Sequence, residues 1–230
     1  LKKLLKEFDP NVFYNADIKK KNWFNIGGKA KVFFKANVLK DLVDFVRTIN
    51  NREKIHILGA GSNTLITDDL YDGIVIKLGK NFSRLSVLNS NIIISGTAVL
   101  DKKLAEYAAE NSLSGFEFLT CIPGTIGGGL KMNAGCFGSE IKDILVSIQA
   151  IDKKGNILTI PAKKINFDYR NNNLSDDLIF LSASFKGKKQ DNQKIFETMS
   201  KLKIQKDNNQ PTKIKTSGST FKNPIDKTTK

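Results

Sequence analysis

The chain has 230 residues, 40% of them hydrophobic, with a formal net charge of +14 at neutral pH. That length can bury a real core as one large domain or two small ones sharing a cleft, and no apolar run nears the roughly 20 residues that cross a bilayer. Only four of the 37 basic residues are arginine (Arg47, Arg52, Arg84 and Arg170), and the lysines are scattered, a compositional habit more than the stripe expected of a nucleic-acid-binding protein.

A weaker use of the charge survives, because a positive field speeds capture of a small polyanion. The N-terminus, Leu1-Lys2-Lys3-Leu4-Leu5-Lys6-Glu7-Phe8, is too short and too charged for a secretory signal. Two cysteines, Cys121 and Cys136, make neither a disulfide framework nor a zinc knuckle, so a soluble protein of a reducing cytoplasm is expected.

After Asn37, a good N-cap, the apolar residues Val38, Leu39, Leu42, Val43, Phe45, Val46 and Ile49 predict an amphipathic helix over residues 38 to 49. A strand follows at Ile55 to Leu58, then the glycine turn Gly59-Ala60-Gly61-Ser62-Asn63-Thr64, then a strand from Gly73 to Leu78. No helical pattern opens after Gly61, which excludes a Rossmann or P-loop assignment and indicates a different flavin or nucleotide fold.

Short strands are expected at Leu85 to Val87 and Ile92 to Ser95, and a helix from about Lys102 to Asn111. Next comes Ile122-Pro123-Gly124-Thr125-Ile126-Gly127-Gly128-Gly129, followed by Asn133-Ala134-Gly135. An isolated Gly-Gly is ordinarily a tight turn. Five glycines between Gly124 and Gly135 read instead as backbone brought close to an anionic ligand, with Pro123 excluding a long helix through this point. Val146, Ile148 and Ala150 alternate into the turn Lys153-Lys154-Gly155-Asn156 and Ile157 to Ile160 returns, a hairpin. Ile179, Leu181, Ala183 and Phe185 give another strand, Lys186 to Asp191 a polar connector, and Asn192 to Lys203 a weakly amphipathic helix anchored by Ile195, Met199 and Leu202.

His56, the only histidine, lies within a strand, and a structural role is expected for it, because triads and metal sites need more partners. No metal is expected. Neither cysteine has a basic partner in the sequence that would make it a nucleophile. Asp168-Tyr169-Arg170-Asn171-Asn172 could present Arg170 as a bidentate clamp on a carboxylate, or as a surface ion pair. Ser217-Gly218-Ser219-Thr220-Phe221-Lys222-Asn223-Pro224 is a hydroxyl-rich turn that spacing alone assigns no chemistry.

Five segments in order resemble one family: Asn22-Trp23-Phe24-Asn25-Ile26-Gly27-Gly28-Lys29-Ala30, Leu58 to Asn63, Ile122 to Gly135, Tyr169-Arg170-Asn171, and Gly218 to Pro224. Together they look like the UDP-N-acetylenolpyruvoylglucosamine reductases, flavoenzymes of early peptidoglycan synthesis, over almost the whole chain from Asn22 to Pro224. The resemblance implies an α+β, FAD-binding fold of the vanillyl-alcohol-oxidase kind. Residues 1–80 and 81–190 would be its two FAD-binding subdomains, and 191–230 the beginning of a substrate-binding domain. It implies non-covalent FAD, NADPH as co-substrate, and hydride delivery to the enolpyruvyl double bond of a UDP-sugar.

By the same resemblance the cofactor would be held by Gly59, Ala60, Gly61, Ser62, Asn63, Thr64, Pro123, Gly124, Thr125, Gly127, Gly128, Asn133 and Gly135. Arg170 would hold the enolpyruvyl carboxylate, Ser219 would protonate the carbon that hydride addition makes basic, and Lys222 and Asn223 would bind substrate. Cys121 and Gly129 stand where the family leads one to expect glycine and alanine. With no tyrosine-bearing insertion between Arg170 and Ser219, the chain resembles the shorter subtype. Family members continue past the serine motif to a glutamate that works with the arginine and serine. A polypeptide running only from Leu1 to Lys230 is therefore expected to be a fragment that binds FAD with impaired turnover. The expected state is a cytoplasmic monomer with no nucleic-acid or membrane partner. The competing readings are another FAD oxidoreductase of the same fold and a basic nucleic-acid-binding protein.

Overall fold

The computed structural model describes residues 1–210. After a short helix, α1 (Lys2–Leu5), the strands β1 (Val12–Asp17) and β2 (Lys29–Ala36) pair antiparallel, with Val12 opposite Phe34. Helix α2 (Leu39–Ile49) then crosses to β3 (Ile55–Ile57), and β4 (Tyr71–Leu78) inserts between β2 and β3, parallel to both. The sheet order is β1-β2-β4-β3. Leu42, Phe45, Val46 and Ile49 form the buried face of α2, spaced three and four residues apart so that they share one side of the helix. Each contributes about 2 kcal/mol by burial. Phe45 stacks on Phe34 of β2 with ring centroids 3.9 Å apart, and Phe8 meets both rings edge-on.

A second sheet begins with β5 (Leu85–Asn89) and β6 (Ile92–Gly96). The chain then leaves it through α3 (Asp101–Glu110), β7 (Leu113–Ser114), α4 (Ile126–Lys131), the hairpin of β8 (Gly135–Cys136) with β9 (Ser139–Glu140), and α5 (Ile141–Ile144). It returns with β10 (Leu145–Ile151), β11 (Ile157–Pro161) and β12 (Ile179–Lys186), giving an all-antiparallel sheet of order β11-β10-β12-β6-β5. Strand β13 (Lys188–Lys189) and helix α6 (Asn192–Asn209) complete the described chain. Leu104, Ala108, Phe116, Leu119, Ile126, Leu130, Ile148 and Phe185 belong to the core on this side. Ile151, Ile179 and Leu181 reach instead into the first core, so the two sheets pack as neighbours.

Several expectations need correction. Helix α2 is capped by Val38 without a side-chain bond, and Asn37 instead donates its amide to Asn11 Oδ1 at 3.0 Å, tying two loops. Val146 points outward because the register between β10 and β12 slips between Leu145 and Ser147, and a one-residue slip reverses the faces. The connector after Lys186 forms β13, which pairs with β7, and α6 runs to Asn209, capped by Asp191 accepting from the Lys194 N–H. The glycine segment is not all loop: Ile126 to Lys131 is helical despite three consecutive glycines. Strands β1 and β2 have no counterpart in the sequence reading.

Candidate functional site

Strands β2, β3 and β4 run parallel, so their carboxyl ends lie at one edge of the first sheet, the place where open α/β sheets leave a crevice. The turn after β3 starts there. Leu58 still bonds to the sheet, its N–H donating to the Ile76 carbonyl at 2.9 Å, and the chain then turns away through Gly59. Gly61 has φ +68°, a left-handed conformation, and a Cβ there would stand 2.4 Å from the Lys21 carbonyl oxygen. Its own carbonyl accepts from the Trp23 N–H at 2.9 Å, which docks the Asn22-Trp23 segment beside the turn.

The second glycine segment meets this turn directly. Ser62 Oγ donates to the Pro123 carbonyl at 2.6 Å, and a Cβ on Gly59 would stand 2.5 Å from Thr125 Oγ1. Ile126 and Gly127 donate to the carbonyls of Val99 and Thr97, both at 2.9 Å, so the start of α4 is stitched to the chain leaving β6. Here the structure revises the reading of the glycines. Gly127 faces Thr97, Gly129 faces Ile141 and Gly135 faces the Ser139 carbonyl, each within 3.2 Å of where a Cβ would stand, so these residues let protein pack on protein. Gly128 is exposed and has open space at its Cβ direction, with only Thr125 Oγ1 near it, at 3.9 Å.

Where the two segments meet lies a cleft of about 610 Å³, lined by Lys20, Lys21, Trp23, Ala60, Ser62, Lys77, Leu100, Lys102, Pro123 and Gly124 among others. It has four lysines and no carboxylate in its lining, so its field favours an anion. Burial, helped by Lys21 and Lys35, lowers the pKa of Lys77, which marks a cationic concentration that a bound anion would relieve. The sequence reading missed these lysines: they come from three elements, and nothing local distinguishes them from the rest. Trp23, half-exposed, also lines the cleft, a placement that its motif alone does not reveal. Asn63 and Thr64 continue the first turn outside the lining.

The buried Asn133, with φ +41°, closes the second segment: its amide donates to Glu140 Oε2 at 2.8 Å, and its Oδ1 accepts from the Lys142 N–H at 3.1 Å. The Arg170 loop is fastened to the same end. Asn172, fully buried, donates to the Leu130 carbonyl at 3.0 Å and accepts from the Leu174 N–H. Arg170 itself has φ +56°, and its guanidinium lies 5.4 Å from the centroid of the Tyr169 ring. The loop thus sits at the Leu130–Asn133 end of the segment, and the lysine-lined cleft at the Ile122–Gly124 end. Ser219, Lys222 and Asn223 lie outside the described residues.

His56 is exposed, its ring 6.4 Å edge-on from Tyr71. Burial pushes the Cys121 thiol up to about 11, with Cys136 beside it also raised, so neither is a ready thiolate. Among the described residues no three His, Cys, Asp or Glu side chains gather as metal ligands, and no helix is long and apolar enough to cross a membrane.

Residues 30–161 match the family model described as an FAD binding domain. The whole chain is 60% identical to the UDP-N-acetylenolpyruvoylglucosamine reductase of Pelagibacter ubique and covers 76% of it. It is 47% identical to that of Rickettsia typhi over 91% of this chain and 70% of the relative. Among solved structures, the UDP-N-acetylenolpyruvylglucosamine reductase of Thermus caldophilus superposes with a TM-score of 0.80 at 27% identity, covering 93% of this chain and 74% of that one. A variant of Phl p 4, a glucose dehydrogenase, superposes over 81% of this chain and 43% of its own with a TM-score of 0.60 at 13% identity, a likeness of fold alone.

Proposed function

The chain belongs to the UDP-N-acetylenolpyruvoylglucosamine reductase family, and from that premise we propose how its residues serve the reaction. It is an FAD-dependent oxidoreductase that uses NADPH to reduce the enolpyruvyl group of UDP-N-acetylglucosamine enolpyruvate to UDP-N-acetylmuramate, in peptidoglycan synthesis. The observation that carries the siting is the seam where Ser62 bonds Pro123 and Gly59 abuts Thr125, at the wall of a cleft with four lysines and no carboxylate. Its chemistry fits a dinucleotide: ammonium groups for the diphosphate, an indole for a flat ring, and backbone walls that leave room.

Bound there, FAD supplies the hydride relay between NADPH and the substrate. Gly59 to Thr64 and Pro123 to Thr125, with Gly127, Gly128, Asn133 and Gly135, shape its seat. Arg170 orients the enolpyruvyl carboxylate and stabilises the charge that hydride addition pushes onto it. Ser219 gives its proton to the neighbouring carbon, Lys222 favours the alkoxide left behind, and Asn223 binds the substrate. Residues 1–80 and 81–190 form the two cofactor subdomains and 191–230 begin the substrate-binding unit, with α6 anchored on the second core through Ile195 and Met199. The protein works as a cytoplasmic monomer and does not need nucleic acid.

Arg170→Ala tests the substrate end. The variant should keep FAD and lose on the order of a hundredfold or more in enolpyruvyl reduction, as when a fixed transition-state partner is removed. Unchanged turnover would remove the role given to Arg170.

A further inference from the structure

Asp101 opens α3 and is 1% exposed. Its two carboxyl oxygens are the only buried side-chain polar atoms among the described residues with no hydrogen-bond partner. Such groups call for an explanation. The carboxyl is wedged beneath the second glycine segment: a Cβ on Gly124 would stand 2.9 Å from Oδ2, and one on Gly129 3.2 Å from Oδ1. The Asp101 N–H donates to the Gly124 carbonyl at 3.2 Å. Gly124 lines the cleft, as do Leu100 and Lys102 on either side of Asp101, so the carboxyl lies directly behind the cleft wall.

We propose that Asp101 is a positioning residue for the dinucleotide, its carboxyl held protonated beneath Gly124 and Gly129 while the diphosphate is bound, so that FAD binding and ionisation of Asp101 oppose one another. This rests on FAD occupying the lysine-lined cleft. The charged groups on the surrounding elements are Lys102, Lys103, Glu106 and Glu110 on α3, Lys131 on α4, Glu140 before α5, and Lys142 and Asp143 on it; the Gly59–Thr64 turn has none. None of them moves Asp101, whose carboxyl is pushed up to about 7 by burial alone. The first turn of α3 favours the anion, which keeps ionisation within reach near neutral pH. An anion there would face the diphosphate through one layer of glycine backbone, where water screens poorly. The carboxyl is neutral below about pH 7 and charged above it, so FAD affinity should be greatest on the acid side and fall as pH rises through 7.

The test is the dissociation constant of FAD, read from flavin fluorescence between pH 6 and 8.5, for the unaltered protein and Asp101→Asn. The unaltered protein should weaken by up to about tenfold per pH unit above 7, and Asp101→Asn should be flat and bind more tightly at pH 8.5. A flat profile in the unaltered protein overturns the proposal. So does a slope that persists in Asp101→Asn, which would assign it to a lysine such as Lys77. Should Asp101→Asn fail to fold, calorimetry of the unaltered protein at pH 7.5 in buffers of different ionisation enthalpy decides: FAD binding should take up most of one proton, and no uptake overturns the proposal. If FAD fails to bind at any pH, the siting of the cofactor falls first and this inference with it.

Discussion

Between Leu58 and Thr64 the chain leaves the end of a parallel strand and turns without forming a helix, whereas between Ile122 and Gly135 it winds a six-residue helix into the second core. Both stretches are rich in glycine, yet the residue serves them differently. In the first turn Gly61 carries a left-handed backbone and lets the Asn22-Trp23 segment dock, while Ala60 and Ser62 face the cleft. In the second, Gly127, Gly129 and Gly135 are absorbed by close contact with Thr97, Ile141 and Ser139, leaving Gly124 at the cleft and Gly128 outward. Glycine density therefore marks close approach of backbone to something, and that something is mostly the protein itself in the second segment.

Substitutions should separate these two uses. Gly61→Ala should cost the most, about 3 kcal/mol, because it combines a left-handed φ with a Cβ 2.4 Å from a backbone oxygen that cannot swing aside. Chemical denaturation checks it, and a loss under 1 kcal/mol would show that the first turn tolerates ordinary side chains. Asn133→Ala should cost about 2 kcal/mol, since it strands the Lys142 N–H and leaves alanine at φ +41°. Its loss should appear in stability first, whereas an effect on FAD affinity alone would move Asn133 from scaffold to ligand contact. Gly128→Ala should have the smallest effect on folding, a gain of up to about 1 kcal/mol from helix propensity. If FAD affinity nevertheless falls tenfold or more, Gly128 is the place where the second segment touches the cofactor; unchanged affinity would leave that contact to Pro123 and Gly124.

The same contrast shows what was legible in the sequence. Helix α2 could be read because Leu42, Phe45, Val46 and Ile49 repeat with the helical period and one face must be buried. Helix α4 could not, because three glycines after Pro123 carry the weakest local propensity; burial of Ile126 and Leu130 in the second core overrides it. Val146 was misread because a bulge leaves no local sign. Of the candidate site, the chain showed its two glycine segments, and their meeting at Ser62 and Pro123 is tertiary. Lys20, Lys21, Lys77 and Lys102 are indistinguishable in sequence among so many lysines, and Asp101 lies just before the helix expected from Lys102, with nothing local to mark its burial.

Trp23 is the only tryptophan in the chain, and it lines the cleft. The central claim, that FAD sits where the two glycine segments meet, is tested most directly by titrating flavin-free protein with FAD while recording tryptophan emission. Saturable quenching that completes at one equivalent of FAD, in step with the change in flavin fluorescence, is the predicted result. Flavin that binds tightly while tryptophan emission stays constant would place the cofactor elsewhere and contradict the account.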